Sequence, residues 1–171
     1  MDHTLREWIR LGEKCGLAQA ALDAQAKETR MDRTHIRQVM LAHWRDMQSA
    51  IRTGLEPGLR SVSGLSGGQA VKLLNRMQEG KSLCGTLLGK AEAYALATAE
   101  CNACMGKIVA APTAGACGIL PGLLQALAEE RNFQEDALVD ALFVAAAVGE
   151  SIASQASISG AEGGCQAECG S

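Results

Sequence analysis

Apolar residues recur every three or four positions along most of the chain, and this spacing predicts α-helices. Leu5, Trp8 and Ile9 begin a first run that continues to residue 26. Gly12 and Gly16 weaken this run, so the segment is predicted to form one helix or two. The other predicted helices are 32–53, a run through Ala70 and Met77, 86–104, 119–130 and 136–158.

Two of these helices have informative faces. Helix 32–53 carries a stripe of six apolar residues, Ile36, Val39, Met40, Trp44, Met47 and Ile51, which is typical of a core face and not of a ligand site. Helix 136–158 is apolar on nearly all sides, so we expect it to be the central buried helix. Its far end carries polar side chains that we expect to line a polar cavity: Ser151, Ser154, Gln155 and Ser157.

Composition favours an all-α fold. Hydrophobic residues make up 47% of the 171 positions, but aromatic residues only 3%, so the apolar content is mainly Ala and Leu. Such a composition suits tightly packed helices better than a sheet. The length fits one domain of roughly 100–200 residues, with N-terminal helices over 1–54 and a motif-bearing region over 55–171.

Charge and apolar length exclude several classes of partner. A net charge of −3 and an isoelectric point near 5.6 give no electrostatic reason to expect nucleic acid or an anionic membrane surface. The longest apolar run, 137–148, is shorter than the roughly 20 residues that span a bilayer. The start lacks a secretory signal pattern, so we expect a cytoplasmic protein.

Five of the seven cysteines lie in two stretches rich in small residues, 101–118 and 159–171. Cysteines in a cytoplasmic protein more often serve metal binding or catalysis than disulfides. We therefore expect the two stretches to meet around a metal centre. Pro112 is expected to break the helix in the first stretch. Cys15, outside both stretches, is expected to be an ordinary buried thiol.

Spacing alone leaves the type of metal centre open. Cys101 and Cys104 lie three residues apart on a predicted helix, and with Cys117 and Cys165 or Cys169 they suit a four-cysteine zinc site. Single thiolates in glycine-rich loops suit an iron–sulfur cluster equally well. A cluster held by three thiolates would leave one iron open to bind substrate as a Lewis acid.

A third motif, Ser-Gly-Leu-Ser-Gly-Gly at 63–68, precedes the predicted helix through Ala70. The first turn of a helix has unpaired N–H groups and the positive end of the helix dipole, which suit an anion such as a carboxylate. The motif lacks the Gly-Lys-Ser/Thr ending of a P-loop. A plain helix cap by Ser66 is the simpler alternative. The sequence stops inside the glycine-rich stretch, so we also expect it to be a piece of a longer chain.

Together the three motifs resemble a known family. APTAGACGILPG at 111–122, SGLSGG at 63–68 and SGAEGGCQAECGS at 159–171 occur in the order found in the alpha chain of iron–sulfur-dependent L-serine dehydratases. The resemblance covers roughly residues 55–171. It implies an all-helical region with a [4Fe-4S] cluster, a beta region as partner, and the conversion of L-serine to pyruvate and ammonia. It also implies an oligomer.

The resemblance assigns roles to individual residues. Cys117 and Cys165 match the cluster ligands of the family, and the third ligand is Cys169 or a residue beyond Ser171. Cys101 and Cys104 fall outside the ligand positions. Substrate contacts are expected from Ser63, Gly64, Ser66, Gly67 and Thr113. No base can be identified, and the beta partner is one source for it.

Two other functions remain open at this point. One is a related cysteine desulfidase-type lyase, with a similar cluster and a thiol substrate. The other is a non-enzymatic helical interaction domain stabilised by zinc bound to Cys101, Cys104, Cys117 and Cys165. On the dehydratase interpretation, the 171 residues alone are expected to be inactive without the beta partner.

Overall fold

The computed structural model of the chain describes residues 3–171, and every regular element in that range is a helix. The all-α prediction is therefore confirmed. The helices are Leu5–Cys15 (α1), Leu17–Thr29 (α2), Arg33–Gly54 (α3), Gln69–Gln78 (α4), Gly85–Ala103 (α5), Ile119–Arg131 (α6), Glu135–Ala153 (α7), Gly160–Gly163 (α8) and Cys165–Cys169 (α9). No helix within residues 3–171 is both long and apolar enough to cross a membrane.

Most predicted helix limits agree with the structure, and the break between α1 and α2 and the early end of α7 have local causes. The first segment is two helices because Gly16, at φ +86°, takes a backbone conformation that side chains rarely adopt. Helix α7 ends at Ala153 and not at 158. The side chains of Ser154 and Gln155 both donate to the carbonyl oxygen of Ser151, the acceptor that the next helical turn would need.

The chain divides into two compact units. One contains the chain up to Trp44 together with Gln134–Ser171, and the other is Arg45–Phe133. Helix α3 contributes its first part to the first unit and its second part to the other.

In the first unit, α1, α2 and α7 enclose a core around Trp8, Leu22, Val139 and Phe143. Helix α1 begins with a capping box, in which the side chains of Thr4 and Glu7 bond to each other's backbone N–H groups. Burial on α7 is confined to one face, and Ala146 on another face is exposed. The helix that we expected to be the central buried one therefore buries only one face.

The predicted apolar stripe of α3 is only partly buried. Trp44, Met47 and Ile51 are enclosed, whereas Val39 is 40% exposed. The polar side chains at the end of α7 donate hydrogen bonds to backbone carbonyl oxygens. Ser151 Oγ, for example, donates to the carbonyl oxygen of His3 at 2.9 Å. The bonds from Ser154 and Gln155 to the carbonyl oxygen of Ser151 satisfy a backbone carbonyl group at the C-terminal end of α7.

In the second unit, α5 is the most enclosed helix. Ala93 and Ala97 are completely buried, and α4 and α6 both pack along α5. Helix α6 approaches α5 so closely at Gly122 that an added Cβ would lie 2.6 Å from the backbone nitrogen of Ala95. Gly54 of α3 lies similarly against the backbone of Ala97. Small residues, and not large apolar ones, thus allow neighbours on several sides of α5.

A polar network holds the same unit together. The hydroxyl of Tyr94 donates to both carboxylate oxygens of Glu129, at 3.0 and 2.9 Å, and Lys90 lies 3.1 Å from that carboxylate. Gln125 donates to Glu129 and accepts from Gln48 of α3. Burial, followed by the bond to Glu129, raises the pKa of Tyr94 well above its usual value. The network links α3, α5 and α6.

Candidate functional site

The Ser-Gly-Leu-Ser-Gly-Gly motif forms a closed loop between α3 and α4. Ser61 donates its N–H to the carbonyl oxygen of Ser66 at 2.8 Å, and its hydroxyl accepts the N–H of Ser66 at 3.1 Å. The hydroxyls of Ser61 and Ser63 lie 3.2 Å apart. Ser63, Gly64 and Ser66 are exposed, whereas Gly67 is buried against the backbone of Leu59 with φ +136°. The loop therefore presents its serines to solvent on a fixed backbone.

An anion does bind at the N-terminus of α4, and it belongs to the chain itself. The carboxylate of Glu100, from α5, accepts the N–H groups of Gly68 at 2.9 Å, Gln69 at 2.7 Å and Ala70 at 3.3 Å. Glu100 is only 5% exposed. The expectation of unpaired N–H groups at this helix end was therefore wrong, as was that of a Ser66 cap. The signal for Glu100 was a single acidic residue inside the Ala-rich run ALATAEC.

The loop between α5 and α6 contains the second motif. Its Ala111–Pro112 peptide bond is cis. Asn102, at the end of α5, donates its side-chain amide to the carbonyl oxygen of Ala114 at 3.1 Å. The hydroxyl oxygen of Thr113 is buried and has no hydrogen-bond partner within residues 3–171. Such a group is costly unless something else bonds to it, which makes Thr113 a candidate contact for a ligand or water.

The end of α5 joins these two loops. The N–H of Val62 donates to the carbonyl oxygen of Ala103 at 3.2 Å, and the thiol of Cys104 to that of Arg60 at 2.8 Å. Near the same end of α5, Glu100 bonds to the residue that follows loop 63–68, and Asn102 bonds to the loop that contains Ala114. Two motifs some fifty residues apart are thus each bonded to the same end of α5. Neither Glu100 nor Asn102 was predicted from the sequence.

Cys117 is almost completely enclosed, with 1% of its surface exposed. It follows Ala116, also 1% exposed, and precedes Gly118, which lies against the backbone of Ala95. Burial raises the pKa of the Cys117 thiol, and proximity to Cys101 raises it further. A metal that binds here would displace a proton from a neutral thiol.

Cys101 and Cys104 point to different neighbours. The Cys101 thiol is 1% exposed and faces the carbonyl oxygen of Lys107 at 3.8 Å, whereas Cys104 bonds to Arg60 of the other loop. Burial raises the pKa of Cys101. Cys15, which we expected to be buried, is exposed at the last residue of α1.

The third motif forms the short helices α8 and α9 and is not an open loop. Cys165 and Cys169 are exposed on one side of α9, with their sulfur atoms 3.6 Å apart. Glu162 of α8 accepts a hydrogen bond from Ser157 at 2.6 Å. Cys165 and Cys169 belong to the first unit and Cys117 to the second.

The donor type fits an iron–sulfur cluster, since cysteine thiolates are the usual ligands of such clusters. Within residues 3–171, no three His, Cys, Asp or Glu side chains are grouped as a metal site. The sulfur atoms of Cys165 and Cys169 lie close together on α9. Their separation is close to the ~3.8 Å between two thiolates on one tetrahedral ion with bonds of ~2.3 Å.

Comparison with known proteins gives one consistent result. The family model described as "Serine dehydratase alpha chain" matches residues 12–171. The chain is 46% identical to the probable L-serine dehydratase alpha chain of Bacillus subtilis, over 100% of this chain and 57% of the relative. It is 36% identical to the L-serine dehydratase alpha chain of Peptoniphilus asaccharolyticus, over 100% of this chain and 59% of the relative.

A further relative is the L-serine dehydratase of Streptomyces coelicolor, 36% identical over 96% of this chain and 37% of the relative. The chain thus spans less than two thirds of the length of these curated relatives. No solved structure matches it significantly.

Proposed function

The chain belongs to the serine dehydratase alpha chain family, and from this membership we propose that it is part of an enzyme that converts L-serine to pyruvate and ammonia. The observation that carries the proposal is the family match over residues 12–171. The name alpha chain implies a beta chain or domain as partner. We propose that the complete enzyme needs this partner and that the 171 residues alone are inactive.

Membership of the family suggests a metal cofactor, which we propose to be a [4Fe-4S] cluster. Its ligands in this chain would be Cys117, Cys165 and Cys169. Two observations support this choice: all three residues are free thiols, and Cys117 is shielded from water. When bound, such a cluster supplies a Lewis acid for the departure of the serine hydroxyl.

The chain's own residues would bind and orient the substrate. We propose that the hydroxyls of Ser63 and Ser66, the backbone at Gly64 and Gly67, and the buried hydroxyl of Thr113 contact L-serine. The two loops that carry these groups are tied to the same end of α5, which supports a shared role. The proton on the α-carbon must go to a base, and we propose that the partner supplies it.

The seven free thiols fit a reducing compartment, which supports a cytoplasmic location. We propose an oligomer for the complete enzyme.

The test uses the full-length protein together with its beta partner, purified and reconstituted without oxygen. We expect about four irons per alpha chain and release of pyruvate from L-serine. Cys117→Ser and Cys165→Ser should each abolish both the bound iron and the activity. Cys15→Ser is the matched control, because Cys15 is exposed and outside the three motifs.

Three results would contradict the proposal. Stoichiometric zinc without iron after reconstitution would favour a zinc-stabilised interaction domain. Sulfide release from L-cysteine without turnover of L-serine would favour a desulfidase-type lyase. Full iron retention in the Cys117→Ser variant would refute that ligand, while leaving the dehydratase activity to be judged by pyruvate release.

A further inference from the structure

Glu100 carries a buried carboxylate, and most of its neighbours in α5 are small or apolar residues. Three of the residues around it in the sequence, Ala97, Thr98 and Cys101, are at most 1% exposed. A buried charge is costly unless hydrogen bonds compensate for it. Both oxygens of Glu100 are used: one accepts from Gln69 and Ala70, and the other from Gly68.

The N-terminus of α4 has no cap of its own. Its N-cap residue is Gly68, and no side chain of the loop bonds to the first N–H groups. Gly68, at φ +76°, brings the chain from the loop into the helix with its N–H directed at Glu100. Glu100 therefore replaces the local cap and ties the end of loop 63–68 to α5.

From these contacts we infer that Glu100 is a positioning residue for the substrate-binding loop: its carboxylate, and not that of the substrate, is the anion at the N-terminus of α4. The inference rests on the proposed function in so far as loop 63–68 contacts L-serine. It leaves the exposed serine hydroxyls of the loop as the groups that face the substrate. The carboxylate of L-serine then has to bind elsewhere in the site.

The chain offers a matched pair of variants. Glu100→Gln keeps the size of the side chain but replaces one acceptor oxygen with an NH2 group that faces backbone N–H donors. Glu92→Gln makes the same change on the same helix at an exposed position. The difference between the two variants isolates the contact with α4 from general effects of a lost charge on α5. Glu100→Asp keeps the charge but shortens the reach, and serves as a second variant if Glu100→Gln folds poorly.

Two measurements on the full-length protein with its beta partner test the inference. Amide hydrogen exchange should become at least about tenfold faster over residues 64–70 in Glu100→Gln, because one charge-assisted hydrogen bond is worth about that factor or more. The KM for L-serine should rise about tenfold, with a smaller change in kcat and unchanged iron content. Glu92→Gln should match the wild type in all of these.

Each outcome has a separate meaning. Unchanged exchange over residues 64–70 in both Glu100 variants would overturn the anchoring role. Faster exchange with unchanged KM would overturn the positioning role, since the loop would then not bind substrate. A wild-type enzyme without L-serine turnover would refute the proposed function and with it the positioning role, while the exchange result would still decide the anchoring.

Discussion

The close contact between α5 and α6 predicts that one substitution has opposite effects at two helical glycines. A Cβ at Gly122 of α6 would lie 2.6 Å from the backbone nitrogen of Ala95, 2.7 Å from the carbonyl oxygen of Ala91 and 3.0 Å from the Cα of Ala95. A Cβ at Gly149 of α7 would meet nothing within 4 Å. Both glycines lie inside helices and have no positive φ angle.

The magnitude follows from two opposing terms. Alanine in place of glycine stabilises a helix by at most about 1 kcal/mol. At Gly122 the two helices must separate by about 0.8 Å to restore ordinary contact, and none of the three neighbouring atoms belongs to a flexible side chain. Overpacking of this kind costs about 1–3 kcal/mol, and the rigid backbone favours the upper end. We expect Gly122→Ala to destabilise by about 2 kcal/mol and Gly149→Ala to stabilise by up to about 1 kcal/mol.

Thermal and denaturant unfolding, followed by far-UV circular dichroism, measure the difference. For a chain of this length, 2 kcal/mol corresponds to a loss of about 4–8 °C in Tm. Tryptophan fluorescence is unsuitable because both tryptophans belong to the first unit. If Gly122→Ala were as stable as Gly149→Ala, the tight approach of α6 to α5 would be refuted, and with it our explanation for the enclosed position of α5.

Two further predictions test the site and its surroundings. In the native chain, iodoacetamide should modify the exposed Cys15 and Cys84 at least about tenfold faster than Cys101 and Cys117. The slower pair is enclosed, and the pKa values of its thiols are raised. Equal modification rates, measured by peptide mass spectrometry, would contradict the enclosed positions. Tyr94, the single tyrosine, has a pKa in the folded state that is raised above its unfolded value of about 10. The stability that this shift contributes is therefore fully present below pH 10 and is lost as the pH rises above that value. Its phenol should therefore ionise only as the protein unfolds in alkali, and Tyr94→Phe should cost about 1 kcal/mol at neutral pH. A titration at about pH 10 without unfolding would contradict the burial of the phenol and its bond to Glu129.

The helices could be read from the sequence because helical spacing and helix breaks are local properties. The spacing of Ile36, Trp44 and Ile51 predicts α3, and Gly16 marks the break between α1 and α2. The glycine-rich surroundings of Cys117 and Cys165 indicate a site for thiolate ligands, which stays a prediction. These signals depend on neighbours within a few positions of the chain.

Only the tertiary structure decided which helix is enclosed and what binds at the N-terminus of α4. Hydropathy favoured α7 as the central helix, yet α5 is the more enclosed, because Ala97 and Gly122 allow neighbouring backbones to approach although they carry little apolar surface. The partner of the Gly68 N–H is Glu100, 32 residues away, and no local pattern specifies such a pair. Burial and hydrogen bonding depend on which helices pack together, and that is a property of the whole fold.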